Sequence, residues 1–162
     1  MEIEFKKYQK KDFNTLVKCM ENLQDLIVSL DPLKRQRRLQ NYGKSYTNNL
    51  IKKINKQNGI IFFACDEENI VGCIAGIIEK QNKAELFGCV PTKAGRVQEL
   101  FVLEVYRGKR IGKKLMKLIE DYFRKKKCDV VIVDAFGPNK PAHNFYKKFN
   151  YSDRVIGLIK IL

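Results

Sequence analysis

Tyr106-Arg107-Gly108-Lys109-Arg110-Ile111-Gly112-Lys113 is the stretch on which the reading of this chain turns. Before it, Val97, Leu100, Phe101, Val102 and Leu103 make an apolar run over 96–105 that reads as a strand. After it, Ile111, Leu115, Leu118, Ile119 and Tyr122 recur at helical spacing, while Lys113, Lys114, Lys117, Asp121 and Lys125 take the other positions. A strand that passes through glycines and cations straight into an amphipathic helix points backbone N–H groups, and the positive end of the helix dipole, at whatever lies before the helix. Gly108 and Gly112 carry no Cβ to keep a ligand off the backbone. These are the physics of a phosphate or pyrophosphate site, with a plain basic turn capped by glycine as the alternative. A P-loop is excluded, because the glycines stand four apart and Lys114 occupies the place of Ser or Thr. The dinucleotide fingerprint is excluded too, because G-x-G-x-x-G spacing is missing.

Outward from this stretch the chain reads as a single domain over 1–162. An apolar/polar stretch at 2–8 precedes a first helix capped by Asp12, with Phe13, Leu16, Val17, Met20, Leu23 and Ile27 on one face. Asp31-Pro32 ends it, since the residue before proline is pushed out of the helical region. The basic segment Lys34-Arg35-Gln36-Arg37-Arg38 follows, then a second helix over 42–56 that stops near Asn58-Gly59. The apolar runs 60–65 and 70–78, joined by Asp66-Glu67-Glu68-Asn69, form a hairpin whose strands are covered on both faces. Residues 79–95 are a looser connection, 130–134 a short β-branched strand, and Ala142, Phe145, Tyr146 and Phe149 the apolar side of a further helix. A last strand is expected over 151–162. The order β-α-α-β-β-β-α-β-α-β implies an α/β layered sheet with helices on both faces.

Composition narrows the classes. The 32 Lys+Arg exceed the 18 Asp+Glu by fourteen, giving a net charge of +14. That fits an anionic ligand. Nucleic acid is a weak prospect, because aromatic residues do not interleave with the basic runs and no zinc finger or basic zipper appears. No apolar run reaches the roughly 18–20 residues of a membrane span, and residues 1–11 carry no signal-peptide core, so a cytoplasmic protein is expected. The five cysteines (Cys19, Cys65, Cys73, Cys89, Cys128) are scattered without a C-x-x-C, and His143 is the single histidine. They read as structural thiols, with no metal site.

Leu100-Phe101-Val102 followed by Arg107-Gly108-Lys109-Arg110-Ile111-Gly112 resembles the [Q/R]-x-x-G-x-[G/A] acyl-CoA signature of the GNAT superfamily of N-acetyltransferases. Asn139, Ala142 and Phe145-Tyr146-Lys147-Lys148-Phe149-Asn150-Tyr151 resemble that family's N-x-x-A-x-x-[F/L]-Y-x-x-x-G-[F/Y] segment. Two positions depart from the pattern. Arg110 replaces the middle glycine, and Asn150 replaces the glycine before the aromatic, a place where Asn can take the same left-handed conformation. The resemblance implies an α/β domain of the acyl-CoA N-acyltransferase type. Its twisted, mostly antiparallel sheet has about six to seven strands, flanked by about four helices. It implies acetyl-CoA as acyl donor: the backbone of Leu100, Phe101 and Val102 on the pantetheine arm, the segment from Gly108 through Ile111 to Lys113 on the pyrophosphate, with Arg107 opening the motif, and Asn139 on the cofactor arm. Tyr146 would protonate the leaving thiolate.

An amine must lose a proton before it attacks a thioester, so a general base is required. Glu99, in the strand beside the pantetheine contact, is the first candidate and Asp134, at the end of the next strand, the second. The resulting expectation is transfer of acetyl to a primary amine, on a small molecule or a protein, by direct attack in a ternary complex; no cysteine stands in a base-activated setting. Each residue has a plainer role available. Tyr146 lies on an apolar helix face, Asn139 suits a helix cap, and Glu99 is compatible with a solvated strand position. Two other classes compete: a non-catalytic CoA-binding module of the same fold, and a basic nucleic-acid-binding domain. A homodimer is left open.

Overall fold

The computed structural model describes residues 2–162. Five strands form one sheet in the order β1-β2-β3-β4-β5: Ile3–Lys7, Ile60–Asp66, Asn69–Lys80, Lys93–Val102 and Val130–Val133. Every neighbouring pair is antiparallel except β4 with β5. Helices α1 (Phe13–Leu30) and α2 (Tyr42–Lys56) precede the hairpin, a single turn α3 (Glu85–Gly88) lies in the β3–β4 connection, and α4 (Ile111–Lys125) and α5 (Lys140–Lys147) flank β5 in sequence.

Local chemistry sets the boundaries. Pro32 stops α1 after Leu30, and Asp31 caps the turn that follows, its carboxylate accepting the N–H groups of Leu33, Arg35 and Gln36 at 3.0, 2.6 and 2.7 Å. Past the end of α2, Asn58 takes a φ of 46° and Gly59 returns its N–H to the Ile54 carbonyl at 2.8 Å. Asp12 differs from expectation. It ends a short 3-10 turn (Lys10–Asp12), and its carboxylate accepts from the Gln9 N–H behind it at 2.9 Å rather than from the first turn of α1.

The sheet separates two apolar layers. On one side α1 and α2 bring Leu16, Met20, Leu50 and Ile54 onto Phe63, Ile77 and Phe101. On the other, α4 lays Ile111, Leu115, Met116, Ile119 and Phe123 over Val71, Ile74, Ile78 and Val97. Strand β3 is buried on both sides, as its continuous apolar sequence requires. The buried face of α4 is rotated slightly from the stripe read in sequence: Met116 and Phe123 are buried, whereas Leu118 and Tyr122 are only partly so. Phe123 reaches so deep because Gly95 and Gly76 leave room for it; a Cβ at Gly95 would lie only 2.3 Å from its ring.

Two expectations are corrected. The sheet has five strands among the described residues rather than six or seven. The strand expected over 151–162 does not form: beyond Tyr151 the backbone is irregular, exposed and unpaired with this chain's sheet. Strand hydrogen bonding needs a neighbour, and beyond Tyr151 the chain pairs with none of the five strands.

Candidate active site

Two irregularities in β4 coincide to open the site. Against β3, Glu99 pairs with Ala75 but Val97 pairs with Gly76, so Gln98 is an extra residue, a β-bulge. Alternation alone would put Val97, Glu99 and Phe101 on one face. The bulge splits them: Val97 joins the layer under α4, and Phe101 joins the layer under α1 and α2. Glu99 follows Phe101 and is turned toward α2. On the other edge, β4 pairs with β5 only from Ala94↔Val130 to Val97↔Val133. Past Val97 the two strands part, and the β5-facing edge of 98–102 is left without a strand partner.

A cleft of about 310 Å³ occupies this gap. One wall comes from Glu99 and Leu100, from Asp134, and from Asn139 and Tyr146 of the α5 region. Its opposite wall comes from α1 and α2, with Gln24, Tyr42 and Tyr46. Glu99 is half-buried, and the Tyr46 hydroxyl donates a hydrogen bond to its carboxylate. Burial pushes its pKa from the ordinary 4.5 up to about 7, against the stabilising pull of the Tyr46 hydroxyl and the Lys53 charge. Tyr46 itself is pushed well above the usual tyrosine value, first by burial and then by the Glu99 charge. Tyr42 stacks on Tyr46 with ring centroids 5.3 Å apart and donates its hydroxyl to the Gln24 side chain at 3.2 Å. Tyr146 is pushed up to about 12, by burial first and the negative charge of Glu99 second, so it holds its proton throughout the physiological range. Its ring packs edge-on against Phe145 and Tyr151.

Of the two carboxylates singled out in the sequence, Asp134 sits in a different setting. It lines the cleft but is exposed, and accepts from Arg96 Nη1 at 2.6 Å; Arg96 also donates to Glu79 at 2.7 Å. Asn139 caps α5, its Oδ1 accepting the Ala142 N–H at 3.2 Å, and lines the cleft as well.

The glycine- and cation-rich segment lies at the N-terminus of α4. Arg107, Lys109, Arg110, Lys113 and Lys114 place five cations in eight residues. Gly108 has a φ of +78° and open space where a Cβ would be, and Arg107 Nε donates to the Val102 carbonyl at 3.2 Å. The backbone thus turns left-handed at Gly108 and again at Arg110, φ +62°, before Ile111 starts the helix. Arg110 occupies a conformation that glycine takes freely and other residues adopt at roughly 1–2 kcal/mol. Arg110→Gly is therefore expected to raise the unliganded melting temperature by about 2–4 °C, about 1 kcal/mol for a domain of this size, in a calorimetric scan. No change or a fall would show that the arginine side chain offsets its backbone strain. Asn150, at φ +63°, takes the left-handed conformation expected of it.

Sequence reasoning missed Tyr42, Tyr46 and Gln24. Tyr42 and Tyr46 stand four apart on α2 and so share a face; that spacing was the available signal. Gln36, within the basic segment, also reaches the cleft. The segment is tied to α1: Arg38 grips Asp25 with two hydrogen bonds of 2.6 and 3.0 Å, and Gln24 donates to the Arg37 carbonyl at 3.0 Å. Among the described residues there is no cluster of three or more His, Cys, Asp or Glu that could hold a metal ion, and no helix is long and apolar enough to cross a membrane.

A parted β4–β5 pair, a bulged β4 and a basic glycine turn opening a helix define an acyl-CoA-type transferase fold. The acetyltransferase (GNAT) family profile matches residues 22–151, and the chain belongs to this family. Among curated proteins, it is 34% identical over 68 residues to glucosamine 6-phosphate N-acetyltransferase from Arabidopsis thaliana, a match that spans 42% of this chain and 44% of that protein. The crystal structure of that Arabidopsis enzyme superposes with a TM-score of 0.69 at 19% identity over 99% of both chains. A tetramutant of the BH1408 protein from Bacillus halodurans superposes at 0.84, with 15% identity over 98% of this chain and 99% of that one. AAC(6')-Iy in complex with a CoA-containing bisubstrate analogue superposes at 0.66, with 15% identity over all of both chains. These structural likenesses establish the fold.

Proposed function

We propose that the protein transfers acetyl from acetyl-CoA to a primary amine by direct attack, with Glu99 as general base and Tyr146 as general acid. The observation that carries this reading is the pair itself: a half-buried carboxylate with a pKa raised to about 7 and a protonated tyrosine on one cleft, close enough that the charge of one raises the pKa of the other. Groups tuned in this way are characteristic of acid–base sites.

Acetyl-CoA would supply the acetyl group as an activated thioester. The residues around the cleft fit it. The unpaired edge of Leu100, Phe101 and Val102 suits an extended amide-bearing arm, which would add to β4 as a strand does. Gly108 and the backbone from Lys109 to Lys113 suit the pyrophosphate, and Arg107 braces the turn against Val102. Asn139, with its carbonyl oxygen engaged in the cap, would offer its amide N–H₂ to the arm. Glu99 takes a proton from the incoming ammonium and becomes neutral. Neutral Glu99 no longer raises the pKa of Tyr146, so the phenol becomes a stronger acid at the moment the sulfur leaves with its electron pair. Asp134 is the second candidate base; its carboxylate is exposed and ion-paired with Arg96. The acceptor would enter between α1 and α2, past Gln24, Gln36 and Tyr42. Glucosamine 6-phosphate, the substrate in the Arabidopsis enzyme's name, is one amine to test there, alongside polyamines and lysine peptides.

The decisive measurement is a thermal melt with saturating acetyl-CoA against ADP and sulfate. Ligand at 100 times its Kd adds about 2.7 kcal/mol, a shift on the order of 5–10 °C. A shift well beyond both controls is expected. Equal shifts for all three would reduce the turn to a generic anion site and sink the reading.

A further inference from the structure

The connection from β3 to β4 holds a feature that the cleft does not use. It reads Lys80-Gln81-Asn82-Lys83-Ala84-Glu85-Leu86-Phe87-Gly88-Cys89-Val90-Pro91-Thr92-Lys93. Three large apolar side chains face solvent there: Phe87 is 94% exposed, Val90 80% and Leu86 46%. The loop that presents them is well tied. The Glu85 carboxylate accepts the Asn82 N–H at 2.7 Å, and the Asn82 side-chain oxygen accepts the Glu85 N–H at 3.0 Å. The Gln81 side chain donates to the Val90 carbonyl at 3.2 Å and accepts the Thr92 N–H at 2.6 Å. A braced loop that holds Phe, Leu and Val out in water forfeits the free energy of burying them, which marks a surface that meets a partner.

The surroundings of the loop give that partner's charge. At this end of the sheet β3 ends, β4 and β5 begin, and α4 ends, with Lys93 Nζ donating to the Lys126 carbonyl. Lys80, Lys83, Lys125, Lys126 and Lys127 are exposed here, and Lys93 is half-buried. Two carboxylates stand among these cations, and both are engaged by backbone: Glu85 by the Asn82 N–H, and Asp129 by the Lys93 N–H at 2.7 Å. Glu79 and Asp121 already pair with Arg96 and Arg124. An apolar tip inside a collar of lysines matches an anionic bilayer, whose headgroups take the cations while its acyl boundary takes the apolar side chains. A second copy docked through the same loop would bring two basic ends together, so charge speaks against self-association here. Nucleic acid would satisfy the lysines but offers no apolar interior to Leu86 and Val90.

We propose that the 80–93 loop and the lysines around it form a peripheral docking surface for membranes that carry anionic phospholipid. Neither part suffices alone: a few apolar side chains give marginal binding, and a lysine cluster adds an attraction that salt screens. Together they make the two-part anchor that stable attachment to a bilayer surface needs. The orientation leaves the cleft usable. Glu99, Asp134 and Tyr146 lie toward the other ends of β4 and β5, and the glycine turn opens the other end of α4. A chain docked by its 80–93 loop therefore turns both away from the lipid. The inference does not depend on the catalytic reading.

The chain contains no tryptophan, so Phe87→Trp places a lone fluorescent reporter at the tip. Its emission should shift to the blue on vesicles of phosphatidylcholine with about 30% phosphatidylserine, and stay unchanged on phosphatidylcholine alone. The wild-type chain should cosediment with the anionic vesicles, and its partitioning should fall by roughly tenfold or more between about 0.1 and 0.5 M salt. The double variants Leu86→Ser/Phe87→Ser and Lys80→Gln/Lys83→Gln should each weaken partitioning by roughly tenfold or more. Both change exposed side chains, so circular dichroism and the melting temperature should match wild type. A wild-type chain that ignores anionic vesicles overturns the proposal. Vesicle binding that the serine pair leaves intact, or that brings no blue shift, overturns it equally, since charge or another segment would then be the anchor. Tighter binding to poly-glutamate or RNA than to the vesicles, weakened by the serine pair, would assign the surface to an acidic polymer and sink the membrane reading.

Discussion

Glu99→Gln should lower kcat by roughly 10²–10³-fold, within the range typical of a lost general base, and should flatten the pH profile. In the wild type kcat/KM should rise with pH through about 7, because the base works only when ionised and burial holds its pKa there. Glutamine still accepts the Tyr46 hydroxyl but cannot take a proton, so the rise near neutrality should disappear. The stability readout has its own sign. The folded pKa of Glu99 lies above its ordinary 4.5, so the fold favours the protonated acid. That contribution is present in full below about 4.5 and is lost as pH rises through about 7. The melting temperature of the wild type relative to Glu99→Gln should therefore fall across that window and level off above it. If turnover changes by less than a factor of about 3 and the profile keeps its rise, Glu99 is not the base, and Asp134 becomes the residue to substitute.

Tyr146→Phe is the companion case. It keeps the ring that packs against Phe145 and Tyr151 and removes only the hydroxyl. Turnover should drop by about 10²-fold, while the thermal shift given by acetyl-CoA stays within a degree or two of wild type. A CoA-binding module without catalysis would have no turnover to lose in either protein. An equal loss of acetyl-CoA affinity would instead assign the hydroxyl to binding.

Much of the fold was legible in the sequence because its signals were local. The second helix runs over the residues expected, since periodicity, a left-handed Asn58 and Gly59 all mark its end. The start of α4 was fixed by glycines and an apolar stripe. The placement of Glu99 was not legible. Reading Val97, Glu99 and Phe101 by strict alternation puts them on one face, and only the cross-strand register with β3 reveals that Gln98 is an extra residue which turns Glu99 to the α2 side. Register is a long-range property, and nothing in the ten residues of β4 announces it. Tyr46 escaped notice for the same reason: it matters because of a residue 53 positions away. The strand expected over 151–162 shows the opposite error. Its apolar pattern suggested a strand, but a strand is defined by its neighbour, and beyond Tyr151 the chain is irregular and exposed.

The Asp31 turn and the Arg38–Asp25 clamp hold the connection between α1 and α2 as a preformed rim. The cleft is lined by two separate stretches of the chain, residues 20–46 on one wall and 97–146 on the other. On the proposed function, the molecule is thus divided along its length into a half that would read the donor and a half that would meet the acceptor. Substitutions in the early half can retune which amine is accepted while the later half goes unaltered. One scaffold can in this way serve many acceptors, and knowledge of its donor transfers between relatives more safely than knowledge of its acceptor.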